Sequence, residues 1–152
     1  MSSLCYSLSR FSDIAAFYYL ALLVSAAVSD FRERSIPKHM AHTCFFFAVA
    51  GSFDPEPVFF LMRVIGAVFC FLLLFSVYLL SHGRGFGGAD VKIISLSVLV
   101  LGFFDTAEAL LWGCCLGLFF EIVRPRSPNI KSDEIPVITF FVLGVILHYI
   151  FT

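Results

Sequence analysis

The stretch GRGFGGADVK, residues 83–92, places four glycines and one aspartate between two strongly apolar segments. Glycine-rich backbone that ends in an acid is costly in hydrocarbon, so the stretch belongs at a membrane surface. The apolar segments on either side then become membrane helices, and Asp90 stands where the second of them begins.

Composition points the same way. Of the 152 residues, 60% are hydrophobic and 20 are phenylalanine, and the mean hydropathy is +0.96, far too apolar for a soluble domain of this size. Apolar runs fall at 14–29, 41–53, 58–80, 91–104, 107–123 and 135–151. An ideal span needs about 20 residues, so six transmembrane helices are expected. The second run is the shortest and carries His42, so it must borrow residues from the 37–40 side to cross. The fourth gains length if Lys92 snorkels to the interface. No repeat, linker or low-complexity tract divides the chain, and residues 1–152 read as a single membrane-embedded domain.

A net charge of −1 says little about partners, but the placement of the bases is informative. Arg32, Arg34 and Lys38 follow the first run, Arg84 and Lys92 flank the third connection, and Arg124, Arg126 and Lys131 follow the fifth run. These alternate connections hold eight of the ten Lys and Arg residues. The other two carry Asp54 with Glu56, and Asp105 with Glu108, and no base. The positive-inside rule puts the basic connections 29–40, 81–91 and 124–134 in the cytoplasm and both termini outside. A cleavable signal sequence ending near Ala27–Ser29 is the rival reading of the first run, but its only preceding base, Arg10, is offset by Asp13.

The five cysteines form no C-x-x-C pair, and four of them lie inside apolar runs as small packing residues. His39 and His42 are three apart without a nearby acid or cysteine in ligand spacing, so neither a metal nor any other cofactor is expected. His82 and His148 read as interfacial packing residues, Glu121 as a solvated helix-end acid and Arg63 as a snorkelling base.

Asp30 and Asp90 stand apart from the other acids, because each lies in a basic connection at the point where a helix meets it. If the two helices pack together, both carboxyls reach one level of the membrane and can share a water and a proton. Two close carboxylates cannot both ionise cheaply, which divides them into a base for water and an acid for a peptide carbonyl. The helix dipole favours charge on Asp90, at a helix N-terminus, over Asp30, at a C-terminus, making Asp90 the base and Asp30 the acid. Gly85, Gly87 and Gly88 permit positive φ and close backbone approach beside the acid. The plainer reading makes both aspartates interfacial acids neutralised by Arg32, Arg34 or Lys92 in a flexible loop.

SDFRERSIP, residues 29–37, together with GFGGADVKI, residues 85–93, resembles the type IV prepilin peptidase family, whose members carry one aspartate before R-x-R-x-I-P-N and another in G-x-G-D-x-K. DEIPVITFFVLGVIL, residues 133–147, resembles the start of that family's last helix. The resemblance implies an all-α membrane protease of the GxGD type in which Asp30 and Asp90 are the catalytic pair. Arg32, Arg34, Pro37, Gly85, Gly87, Gly88, Ala89 and Lys92 would then shape the loops or bind substrate. It further implies a substrate that is a prepilin or pseudopilin, cut at the cytoplasmic face of the bacterial inner membrane, with the lipid bilayer as surroundings and no nucleic acid as partner. Larger members methylate the new N-terminus through an added segment with C-x-x-C pairs. This sequence shows no such segment and is nearer the compact, peptidase-only type that serves Flp-like pili. Ala89 stands where the family has the glycine before its second aspartate, and Lys38 replaces its asparagine. Alanine is compatible there only if the residue is not left-handed. The rivals are a non-catalytic relative or subunit of a pilus or secretion machine, and a small transporter, for which acids near the bilayer midplane would be expected.

Overall fold

The computed structural model describes residues 2–33, 36–53, 57–82, 87–123 and 136–151, with side chains from residue 12 onward except those of 33, 38 and 57. Six helices fill these ranges: α1 (Ser2–Glu33), α2 (Lys38–Gly51), α3 (Pro57–Leu80), α4 (Gly88–Leu101), α5 (Phe103–Val123) and α6 (Val137–Phe151). Their exposed faces are densely apolar, with Phe17, Phe46, Leu80, Phe104 and Ile122 among many large side chains turned outward. That is the surface of a membrane protein, since water would penalise it and lipid does not.

Three helices contain stretches long and apolar enough to cross a bilayer, Ser12–Arg32, Val58–Leu80 and Phe103–Val123. The other three are shorter, at 14, 14 and 15 residues for α2, α4 and α6. At 1.5 Å per residue they extend only about 21–23 Å, against ~30 Å of hydrocarbon. The second run does borrow residues 38–40, α2 starting at Lys38 after an N-cap at Pro37, but the helix stops at Gly51 and remains only 14 residues long. Burial makes a short α4 tolerable: eight of its residues are buried, so protein rather than lipid meets most of it.

α2 and α6 each pack against both α1 and α4, leaving α1 and α4 at opposite corners of a four-helix core. α3 packs on α4, and α5 on α6. Tyr19 crosses between the opposite corners: its hydroxyl donates to the Ile93 carbonyl at 3.0 Å and lies 2.8 Å from Ser97 Oγ. Thr139, near the start of α6, donates to the Ala27 carbonyl near the end of α1 at 2.9 Å. The end of α1 and the beginning of α6 therefore share one end of the bundle. Tyr19, Leu23, Ala26 and Ala27 all belong to the buried core, so α1 forms a wall of the bundle.

Helix α5 crosses α6 at backbone contact. A Cβ added to Gly113 would come within 2.8 Å of the Phe140 carbonyl oxygen, and one added to Gly144 would run into the Ala109 carbonyl. Between α4 and α5 the chain reverses at Gly102 alone, at φ 98°, where a side chain would be strained. Asp105 and Glu108, expected in a connection, lie in the first two turns of α5. There they approach buried His148 of α6, Glu108 Oε2 at 3.4 Å from Nδ1 and Asp105 Oδ1 at 3.8 Å from Nε2. His148 thus links two helices instead of packing at the interface. Arg63 likewise turns inward, its Nη1 reaching toward the Leu99 carbonyl near the end of α4 (3.5 Å). The last carbonyls of a helix lack intrahelical donors, and an arginine supplies one where snorkelling was expected.

Candidate active site

Asp30 lies in the last turn of α1 and Asp90 in the first turn of α4, each only 8% exposed. The antiparallel course of the helices brings these two ends to the same end of the bundle, together with the N-termini of α2 and α6. Asp90 immediately precedes the apolar stretch that begins at Val91. Its carboxyl is raised from 3.8 to about 6, chiefly by burial, with the Gly87 N–H pulling it down and negative charge on Asp30 pushing it up. Asp30 thus stands within Coulombic reach of Asp90 across the bundle.

Gly87 shows how the local sequence builds the site. It is the N-cap of α4, at φ −80° and ψ 147°, and its N–H donates to Asp90 Oδ2 at 2.9 Å. The carboxylate of the third helical residue reaching back to the N-cap N–H is half of a capping box. A Cβ on Gly87 would sit 3.1 Å from Asp90 Oδ2. Glycine is therefore used here for close approach to the carboxylate. Positive φ, the other expected use, is not adopted: Gly87 is extended and Gly88 is helical, with open space around its Cβ position. Ala89 lies inside α4 and is not left-handed; among the described residues other than glycine only His82 has positive φ. Alanine before the second aspartate is therefore compatible with this backbone.

Of the other expected site residues, Pro37 is the N-cap of α2 and half-buried, and Arg32 is exposed at the end of α1. Lys92 is helical and exposed, on the opposite side of α4 from Asp90, so it is not part of a loop. Gly85 and Arg34, as well as the start of the 133–147 motif, lie outside the described residues. Among the described residues no three His, Cys, Asp or Glu side chains gather as a metal site. Sequence reading missed Tyr19 and Ser97, the polar bridge between the two helices that carry the aspartates. A tyrosine in an apolar run is ambiguous until its partner is known.

An all-helical membrane protein with two buried carboxyls at one end of the bundle has the groups needed for acid–base hydrolysis. The sequence profile of the type IV leader peptidase family matches residues 17–122, and the chain belongs to that family. The matched segment runs from the middle of α1 to the end of α5 and so includes both aspartates. The family implies a protease. No curated protein and no solved structure matched the chain.

Proposed function

We propose that this protein is a membrane-embedded aspartic endopeptidase that removes the basic leader from prepilin-like substrates, of the Flp-like kind, at the cytoplasmic face of the bacterial inner membrane. One observation carries the reading: two buried carboxyls from separate helices meet within Coulombic reach at one end of the bundle. Asp90 is the base. It takes a proton from water, whose oxygen attacks the scissile carbonyl carbon. Asp30 is the acid, donating the proton shared by the pair to the carbonyl oxygen as negative charge develops there. The Gly87 N–H favours the charged form of Asp90, and burial keeps its basicity high enough to accept the proton. Collapse of the tetrahedral intermediate returns the carbonyl as Asp90 passes its proton to the departing nitrogen and a diol hydroxyl returns one to Asp30, releasing the leader and the new N-terminal amine.

Co-expression with candidate prepilins tests the activity, a shortened product being the expected result and its absence with every prepilin tried the opposing one. The topology is tested separately. A cysteine replacing Ser35 should resist an impermeant thiol reagent on intact cells and react after permeabilisation; efficient labelling of intact cells would reverse the orientation.

Because Asp90 is raised to about 6, cleavage should fall on acidification through that region as the base becomes protonated. The two carboxyls titrate as a pair, so the midpoint belongs to the dyad. Gly87→Ala pushes on Oδ2 and weakens the N–H bond that favours the carboxylate. Its acid limb should move upward, toward neutrality, by up to about one pH unit, the equivalent of a charge-assisted hydrogen bond. A pH–rate profile in detergent measures this, and an unmoved limb would show that Gly87 does not tune the base.

A further inference from the structure

α2 and α3 follow one another in the chain, yet both pack on α4, and a cleft of about 530 Å³ remains between them with α4 as its floor. Stacked Phe53 and Phe60, with ring centroids 5.6 Å apart, bridge the ends of α2 and α3 that are remote from the dyad. The walls are apolar, including Phe45 and Val49 from α2 and Val68 and Phe71 from α3. Two nitrogen-bearing side chains interrupt them, His42 of α2 and Lys92 of α4. Each is the fifth residue of its helix, about 6 Å from the dyad end of the bundle. Val49 and Leu99 lie seven residues further along the same helices, so the cleft runs about 10 Å beyond the two nitrogens.

This shape selects an occupant. The apolar lining of the cleft suits an acyl chain, which is only a methylene wide. Lys92 is exposed, and among the described residues it makes no ion pair. An apolar slot with an uncommitted ammonium at the level of the headgroups is complementary to a lipid phosphate, as in basic pockets between membrane helices. We propose that the cleft binds an anionic phospholipid from the leaflet on the dyad side, one acyl chain between α2 and α3 and the headgroup phosphate on Lys92, with His42 as a second donor. Only the name of that leaflet, cytoplasmic, rests on the topology proposed above.

The test reads lipid contact directly and does not require leader cleavage, so failure of the protease reading leaves it intact. Trp112 is the sole tryptophan, and the pair Trp112→Phe and Phe45→Trp moves the fluorophore to the cleft wall. The reporter protein is placed in phosphatidylcholine vesicles containing either brominated phosphatidylglycerol or brominated phosphatidylcholine. Quenching should favour the anionic lipid by about fivefold, the effect of one lysine near a membrane surface. Lys92→Gln should bring the preference close to one, and Lys92→Arg should keep it. Equal quenching by the two lipids in the Lys92 reporter overturns the proposal, as does an anionic preference that survives Lys92→Gln. Quenching that rises as the protein is diluted in the vesicles would show a second copy in the cleft and also overturns it. Should Lys92→Gln not fold, Ala67→Leu, which fills the cleft from α3, must reduce quenching by the anionic lipid, and unchanged quenching rejects the site.

Discussion

Replacing either Asp30 or Asp90 with asparagine is expected to lower leader cleavage by about 10³-fold or more while leaving the protein folded in the membrane. General acid–base groups typically contribute about 10²–10⁴-fold each. The two carboxyls have separate tasks, so neither can substitute for the other. Asparagine keeps the shape of the side chain and removes the capacity to exchange a proton. It also removes the charge that makes each buried carboxyl a cost to its neighbour, since Asp30 is one of the influences that raise Asp90. Thermal unfolding of both variants should therefore occur at or above the wild-type temperature. The measurement is product formation from a prepilin-like substrate at equal protein amounts. Full processing by either variant would remove the dyad from consideration, whereas loss of both cleavage and folding would assign the carboxyls a structural task.

The second large effect lies far from the dyad. Gly144→Leu should prevent α5 and α6 from packing, because even its Cβ runs into the Ala109 carbonyl and would approach Gly113 N to 2.8 Å. Backbone on both sides of the contact cannot yield as a side chain does. Overpacking of a tight site costs about 1–3 kcal/mol, and a backbone clash belongs at or beyond the upper end. Gly117→Ala is the control: its Cβ would meet the Phe140 ring at 3.6 Å, an ordinary contact, and stability should change by no more than about 0.5 kcal/mol. Thermal unfolding in detergent distinguishes the two, and a Gly144→Leu protein as stable as wild type would mean that α5 and α6 are not in backbone contact in the membrane.

The dyad also shows how two electrostatic effects compete. Asp90 occupies the N-terminus of α4, where the dipole and the Gly87 N–H favour negative charge. Burial opposes them and is the largest influence, so the carboxyl rises to about 6 instead of falling. Sequence position alone predicted the direction of the dipole's pull, but not that desolvation would outweigh it. A base in this range remains largely ionised at neutral pH yet retains affinity for a proton, which suits the task proposed for it.

The sequence by itself pointed to an all-helical membrane protein, because long, continuous apolar runs separated by short charged connections satisfy their backbone in lipid as helices, whereas barrel strands would alternate apolar and polar residues. It also singled out Asp30 and Asp90, since acids at the ends of apolar runs are conspicuous against so little charge. The backbone contact that Gly113 and Gly144 permit between α5 and α6 was not read from the sequence. What tertiary structure decided were the relations between distant segments. Tyr19 finds its hydrogen-bond partners 74 and 78 residues away, His148 meets two acids of another helix, and Arg63 turns inward to α4. By sequence Gly87 permits positive φ or close approach, and it is close approach that the structure uses, to make room for a carboxylate three residues on, because that use depends on where the Asp90 side chain turns. Periodicity and charge act along the chain and can be read there. Burial and hydrogen-bond partners arise only when helices meet, and they determine whether an acid at a helix end is solvated or enclosed beside another acid.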